Sequence, residues 1–280
     1  MTITQLLQAA VQANRHSDTA WLDAELLLCS VLGVARSFLK TWPDRQLEEA
    51  DRQHFDTLLQ RRLAGEPVAY LIGTQGFWTL ELEVSAATLI PRPETELLVE
   101  TALELPLAAD ATVLDLGTGT GAIALALASE RNLWRVTAVD LQPQAVELAE
   151  RNRQRYQLDN VTLFTSSWFN DIPAQQFDLI VSNPPYIERD DPHLSQGDVR
   201  FEPASALVSG SDGLDDLRLL CQRSGDFLKP GGWLMVEHGY QQGAAVRELF
   251  AAGGFAGIET RCDLNGLERM TLGSYPETKT

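Results

Sequence analysis

Three stretches of the chain place chemically useful residue types at useful spacings. The first is Val113-Leu-Asp-Leu-Gly-Thr-Gly-Thr-Gly-Ala-Ile-Ala, an apolar run that meets Gly117, Gly119 and Gly121, with Thr118 and Thr120 between them, before an Ala-rich segment. Glycines at such a junction let the backbone turn tightly and approach a ligand, and the start of a helix offers free N–H groups. The spacing is GxGxG, whereas dinucleotide-binding folds use GxGxxG. The second is Asp140, which closes Val136-Thr-Ala-Val-Asp. A carboxylate about 20 residues beyond a glycine loop is placed to accept hydrogen bonds from ribose hydroxyls. Asp140 also has the position of a helix cap, which Pro143 supports. The loop and Asp140 together point to an adenosine-containing cofactor and leave NAD and S-adenosylmethionine both open.

The third stretch separates these two cofactors. Phe177-Asp-Leu-Ile-Val-Ser ends in Asn183-Pro184-Pro185-Tyr186. In open α/β sheets, ligands bind beyond the carboxyl ends of the strands, so this tetrapeptide is expected to face the same crevice as the glycine loop. A plain rigid turn is the alternative, since Asn before Pro favours turn initiation. Rigidity is also what a positioning site requires. The Asn183 side-chain oxygen and the Pro184 carbonyl are two acceptors suited to the two hydrogens of a flat NH2 group, and Tyr186 offers a ring for stacking. In an amide or aromatic amine the nitrogen lone pair is delocalised, which makes it a poor nucleophile. Holding both N–H groups aims that nitrogen at an electrophilic carbon and stabilises the positive charge that develops on it. A sulfonium methyl is the matching electrophile and needs no metal. NAD chemistry has no use for such a clamp.

The elements that must position these residues follow from periodicity. Apolar runs at Thr112 to Leu116, Arg135 to Asp140, Val161 to Phe164, Phe177 to Ser182 and Trp233 to Glu237 alternate with helical stretches, which predicts parallel βαβ units with helices on both faces of one sheet. Phe255 to Thr260 and Glu268 to Leu272 add two final strands. The first 64 residues read as helices. Ile3, Leu6, Leu7, Ala10 and Val11 form one stripe; Trp21, Leu22, Leu26 and Leu28 form a second, capped by Ser17 or Asp18 and ended by Gly33; Phe55, Leu58, Leu59 and Leu63 form a third. From Phe77 the period becomes 2, with Leu80, Leu82 and Val84 alternating with polar residues as in a hairpin. The expected organisation is a helical docking domain at 1–74, a hairpin connector at 75–90 and an α/β domain at 91–280.

Composition narrows the function classes. The formal net charge is −17, from 39 acidic and 22 basic residues, and it opposes non-specific binding to phosphate backbones. No apolar run is long enough to span a membrane, and the start lacks the pattern of a secretion signal, so a cytoplasmic location is expected. Cys29, Cys221 and Cys262 are far apart and read as small buried residues. With His16, His54, His193 and His238 equally scattered, no metal site is expected.

On the residues quoted, the chain resembles the bacterial release-factor glutamine methyltransferases, which transfer a methyl group from S-adenosylmethionine to a side-chain amide nitrogen. The likeness covers nearly the whole chain: the helical N-terminal part, Gly65-Glu-Pro-Val-Ala-Tyr, Leu89-Ile-Pro-Arg-Pro-Glu-Thr-Glu, the glycine loop, Asp140 and Asn183-Pro-Pro-Tyr. The NPPY tetrapeptide is shared with adenine-N6 DNA methyltransferases, so it specifies the chemical group of the acceptor. IPRPETE is the narrower signature.

The resemblance implies an α/β fold: a seven-stranded Rossmann-like S-adenosylmethionine-dependent methyltransferase domain preceded by a small α-helical bundle and a β-hairpin connector. It implies that Gly117, Thr118, Gly119, Thr120 and Gly121 bind the methionine end of the cofactor, Asp140 its ribose, and that Trp168 lines the adenine pocket. Asn183 would contact cofactor and substrate, Pro184, Pro185 and Tyr186 would complete the glutamine site, and Asn183, Pro184 and Tyr186 would carry catalysis. The implied substrate is the glutamine of the Gly-Gly-Gln motif in class I peptide chain release factors, and the by-product is S-adenosylhomocysteine. A monomer with no direct nucleic-acid contact is expected. Arg92 and Glu94 read as a charge pair at a helix start, with no catalytic role. The polar segment 189–198 is a lid candidate.

Two other readings compete. An adenine-N6 nucleic-acid methyltransferase is opposed by the acidic charge and by the absence of a basic domain, since Arg61, Arg62, Arg151, Arg153 and Arg155 are adequately explained as solvated helix faces. A non-catalytic binding protein is opposed by the intact glycine loop and NPPY.

Overall fold

The computed structural model describes residues 1–276 and divides into two compact units, Met1–Thr74 with Ser195–Phe201, and Gln75–Leu194 with Glu202 onward. The first unit contains α1 (Ile3–Ala13), α2 (Ala20–Leu32), α3 (Arg36–Thr41), α4 (Glu49–Leu63) and α5 (Val68–Ile72). Ile3, Leu6, Leu7, Leu27, Leu28, Phe55 and Leu58 pack together as its core. Thr2 and Gln5 close a reciprocal capping box at the start of α1, which satisfies two backbone donors that a helix start leaves open.

The stripe expected on α2 is rotated. Trp21 and Leu22 are 48% and 39% exposed, whereas Asp23 and Glu25 are buried. Arginines account for the reversal. Arg36 pairs with Glu25, and Arg62 Nε donates to Asp23 Oδ2 at 2.8 Å, so both carboxylates are compensated inside the bundle. Neither Ser17 nor Asp18 caps the helix, although Gly33 ends it in the left-handed region at φ 63°. Arg62 also donates to Asp198 at 2.9 Å, and Arg200 donates to the Ala64 carbonyl at 3.0 Å. These bonds fasten segment 195–201 to the helices.

The second unit opens with a hairpin, β1 (Thr74–Phe77) and β2 (Leu80–Glu83). Then come a 3-10 turn at Pro93–Thr95, α6 (Glu96–Glu104), β3 (Thr112–Leu116), α7 (Ala122–Glu130), β4 (Arg135–Asp140), α8 (Pro143–Tyr156), β5 (Val161–Thr165) and β6 (Phe177–Ser182). The chain continues through α9 (Asp215–Arg223), β7 (Leu228–Glu237), α10 (Gly243–Ala252), β8 (Ala256–Cys262) and β9 (Glu268–Ser274). The seven apolar runs all form strands of one sheet, in the order β5-β4-β3-β6-β7-β9-β8. β3 to β7 are parallel, and β9 runs antiparallel to both β7 and β8. Alternate residues feed opposite faces of the sheet. Val113, Val136 and Leu179 pack with α6, α7 and the hairpin, while Leu114, Val139 and Ile180 pack with α9 and α10.

Cysteine burial meets expectation at one position of three, since Cys29 is only half-buried. Cys221 is buried, and its thiol is pushed up to about 12 by desolvation, but Cys262 is exposed because it ends the edge strand β8. Among the described residues, no helix is long and apolar enough to cross a membrane, and no group of three His, Cys, Asp or Glu is placed to hold a metal ion.

Strand order decides where a ligand can enter. From β3 the sheet grows to one side through β4 and β5, and to the other through β6 and β7. Such a reversal leaves a crevice beyond the carboxyl ends of the central strands. Leu116 of β3 is in register with Val139 of β4 and with Ser182 of β6, and Ser182 Oγ donates to the Leu116 carbonyl at 2.7 Å. The residues that follow these positions, Gly117, Asp140 and Asn183, therefore share one rim.

Candidate active site

The loop after β3 is shaped by its backbone. Gly117, Gly119 and Gly121 have φ of 74°, 56° and 85°, in the region that glycine enters without steric cost. The N–H groups of Gly117 and Thr118 both donate to the Val139 carbonyl at 2.9 Å, which bends the loop over the end of β4. A Cβ on Gly121 would lie 3.0 Å from Leu125 Cδ1 and 3.2 Å from Ala149 Cβ, so Gly121 also lets α7 pack against α8. Beneath the loop, buried Asp115 accepts from Thr118 Oγ1 at 2.6 Å and from the Ala124 N–H at 3.2 Å. Its Oδ1 has no hydrogen-bond partner, and burial pushes the carboxyl up to about 7. Asn152 of α8 braces the loop from behind: its Nδ2 donates to the Thr120 carbonyl at 2.9 Å and to the Glu83 carbonyl at 3.1 Å, while its Oδ1 accepts from the Glu83 N–H at 2.7 Å.

Asp140 ends β4 with its carboxylate held by the backbone. Oδ2 accepts from the Gly119 N–H and Oδ1 from the Gln142 N–H, each at 2.9 Å. Each oxygen keeps a further lone pair. Burial raises the Asp140 pKa, against the lowering effect of those N–H donors. α8 starts at Pro143 with Gln142 as its N-cap residue, and Asp140 Oδ1 holds the Gln142 N–H, so the carboxylate steadies the helix start as well as the glycine loop. Trp168 adopts a left-handed backbone at φ 51° and lies beside Gly117, where an added Cβ would stand 3.5 Å from its ring. Ser166 Oγ stabilises this turn by donating to the Trp168 carbonyl at 2.9 Å and accepting from the Asp171 N–H at 3.1 Å.

The glycine loop, Asp140, Ser166 and Trp168 line one open crevice. Gly117, Thr118, Gly119, Thr120, Asp140 and Trp168 form one part of its wall, and Asn183 and Pro185 another. Gly121, Pro184 and Tyr186 do not line it. Gly121 is the N-cap of α7 and Pro184 is buried. The Tyr186 ring packs against the core on the α9 and α10 side, with its hydroxyl donating to Glu237 Oε1 at 3.2 Å.

Asn183 is oriented from the side. Its Nδ2 donates to Thr95 Oγ1 at 3.1 Å, which leaves Oδ1 as the acceptor end of the amide. Thr95 closes the turn formed by the IPRPETE stretch, and Glu202 anchors that stretch by accepting from the Ile90 N–H at 2.9 Å and from Arg92. Arg92 lines the crevice and takes Glu202 as its ion-pair partner in place of the expected Glu94, because the Glu202 carboxylate is fully buried and requires a cation. Thr95, Asn152, Glu202 and Glu237 were absent from the sequence-derived site. Two signals were available: Thr95 belongs to the IPRPETE stretch, and Glu237, like Asp140, ends an apolar strand of the same sheet.

Comparison with known proteins agrees with this geometry. Residues 5–73 match the family model for the PrmC N-terminal domain, and residues 93–208 match the model for the methyltransferase small domain. The chain is 61% identical to the release factor glutamine methyltransferase of Pseudomonas aeruginosa, over 92% of this chain and 94% of that one. It is 52% identical to the protein of the same name from Vibrio cholerae, over 98% and 97%. Among solved structures, a methyltransferase from Pyrococcus furiosus superposes with a TM-score of 0.56 at 18% identity, covering 79% of this chain and 99% of that one, a likeness of fold. With two family models matched and identities of 61% and 52% over nearly the whole length, the chain belongs to the release factor glutamine methyltransferase family.

Proposed function

We propose that the protein transfers a methyl group from S-adenosylmethionine to the side-chain amide nitrogen of the glutamine in the Gly-Gly-Gln motif of class I peptide chain release factors. The observation that carries this reading is the polarity of Asn183. With Nδ2 engaged by Thr95, the amide offers Oδ1 as an acceptor on the wall that also holds the glycine loop. A flat NH2 group needs acceptors, and the opposite orientation would present donors to it.

The residues fit the cofactor. The left-handed loop gives backbone close access, Asp140 has lone pairs free for two ribose hydroxyls, and the Trp168 ring supplies an apolar wall for a purine. When bound, the cofactor supplies a methyl carbon on a positively charged sulfur. The chain's own part is orientation: Asn183 Oδ1 accepts from the substrate amide, the flanking prolines keep that acceptor stiff, and positive charge developing on nitrogen meets an oxygen lone pair already in place, while Pro184, buried off the crevice wall, supports the turn. Pro185 contributes to the crevice wall, and Tyr186 supports the tetrapeptide from the core side.

The helical N-terminal domain is assigned to docking the protein substrate, since one glutamine side chain offers too little surface for selectivity. The arginines that suggested a nucleic-acid face are engaged by carboxylates: Arg61 by Glu66, Arg62 by Asp23 and Asp198, Arg151 by Glu83, Arg153 by Glu150, and Arg155 by Glu81. This pairing favours a protein substrate over direct nucleic-acid contact; a monomer acting in the cytoplasm is part of the same proposal and rests on the sequence expectations above. The test is mass spectrometry of a class I release factor incubated with the protein and S-adenosylmethionine, with duplex DNA offered in parallel. One added methyl on the Gly-Gly-Gln glutamine is the expected result; methylated adenine, or no transfer, would overturn the reading.

A further inference from the structure

Two prolines leave the tetrapeptide Asn183–Tyr186 short of anchors. Pro184 and Pro185 carry no backbone N–H, so at these positions the turn is held only by donors that reach its carbonyls. Gln242 supplies such a donor. Its Nε2 donates to the Tyr186 carbonyl at 3.0 Å and to the Gly213 carbonyl at 3.4 Å, and its Oε1 accepts from the Gly239 N–H at 2.8 Å. Although Gln242 is the N-cap residue of α10, its side chain makes no cap bond to that helix. The whole amide is engaged by the loops after β6, before α9 and after β7.

The partners fix the orientation of this amide. A backbone N–H can only donate and a carbonyl can only accept, so Oε1 must meet Gly239 and Nε2 the two carbonyls, one hydrogen for each. Space at this point is tight: a Cβ on Gly213 would stand 2.3 Å from the Tyr186 oxygen. Two carbonyl oxygens drawn to one donor group repel each other once the donor is removed. On either side the chain is tied separately. Ser182 Oγ donates to the Leu116 carbonyl before the turn, and after it the Ile187 N–H donates to the Leu207 carbonyl at 2.9 Å. Between these ties, Gln242 holds the exit of the turn.

Resting on the function proposed above, we infer that Gln242 is a positioning residue for methyl transfer: by donating to the Tyr186 carbonyl, it keeps the proline turn in the pose that aims Asn183 Oδ1 at the substrate amide. Gln242 is not a lining residue of the crevice, so its effect passes through the turn.

The experiment compares Gln242→Met and Gln242→Glu in the full-length protein. Methionine keeps the length of the side chain and removes every polar contact. Glutamate keeps the acceptor for Gly239 but turns an oxygen without a hydrogen toward the two carbonyls. Gln242→Met should lower kcat about 10- to 100-fold, the cost of a small misplacement transmitted from outside the reacting groups. KM for the release factor, and affinity for S-adenosylmethionine measured by calorimetry, should stay within about twofold, as for sites the substitution does not touch. Gln242→Glu should be no faster than Gln242→Met, because what is missing is a donor. A glutamate variant restored to the parent rate would assign the effect to the Gly239 tether and overturn the inference. A normal kcat in Gln242→Met, a loss that falls on KM, or a parallel loss of cofactor affinity would overturn it equally.

A second readout does not depend on turnover. The Asn183 side-chain amide resonance, assigned from its disappearance in Asn183→Ala, should shift in both variants, while the indole N–H resonance of Trp168, on the other part of the crevice wall, stays in place. An unmoved Asn183 resonance would overturn the inference even if the parent protein methylated nothing, and so would equal movement of Trp168, which marks a general loosening. Absence of transfer by the parent together with a shifted Asn183 resonance would count against the proposed function alone. Should Gln242→Met fail to fold, Gln242→Glu decides by both readouts: a parent rate or an unmoved Asn183 resonance in that variant would overturn the inference.

Discussion

Asp140 Oδ2 accepts the backbone N–H of Gly119 at 2.9 Å, so the carboxylate assigned to ribose also holds the loop assigned to the methionine end of the cofactor. Asp140→Ala should therefore weaken S-adenosylmethionine binding by about 10- to 100-fold, since a charged hydrogen-bond acceptor and the loop it steadies are lost together. Asp140→Asn, which keeps one acceptor oxygen for two backbone donors, should fall between. Calorimetric titration measures both, and an unchanged affinity in Asp140→Ala would contradict the ribose assignment.

Asn183→Ala removes the acceptor proposed to hold the substrate amide and leaves the core intact. Turnover should drop about 10²- to 10³-fold, the cost of deleting one preorganised polar contact in an active site. Cofactor affinity and melting temperature should stay close to those of the parent. A folded variant with near-normal turnover would remove Asn183 from the mechanism.

Gly121 combines a φ of 85° with close approach to Leu125 and Ala149. Gly121→Ala should cost about 1–3 kcal/mol of stability through the strained backbone and the displaced neighbours. Urea unfolding gives the value directly; a midpoint equal to the parent's would show that α7 and α8 can part without penalty.

The stability contributed by Asp115 should depend on pH in a defined direction. Its folded-state carboxyl is pushed up to about 7 from an ordinary 3.8. Between those values the folded protein keeps a proton that the unfolded chain has released, so the contribution is fully present below about pH 4 and is lost as pH rises through 7. Asparagine has no such proton to lose. Relative to the parent, Asp115→Asn should gain stability from pH 5 to pH 8, by up to roughly 3 kcal/mol. Paired unfolding curves at the two pH values test this, and a constant difference would show that Asp115 stays charged throughout.

The parts of the site that lie along the chain were legible in the sequence. Apolar runs closed by Gly117, Asp140 and Asn183 mark three strands and the ends where ligands gather, and the register of Leu116 with Val139 and Ser182 brings those ends together. Residues that act across the chain were not legible. Asn152 reaches residues 32 and 69 positions away, and Thr95 meets Asn183 across 88. A lone polar residue on a helix or after a turn has no periodicity to betray such a partner. The α2 stripe failed for a related reason. Hydropathy assigns Asp23 and Glu25 to water, but arginines 39 and 11 positions further on follow them into the bundle, and Trp21 and Leu22 are turned outward.

Asn152 stitches the hairpin to the glycine loop with a single carboxamide. Warming or denaturant that frays the ribbon at Glu83 will therefore slacken the cradle at Thr120 in the same opening event. A small molecule that tightens the cradle will in turn protect, by mass action, backbone amides of a ribbon it never touches.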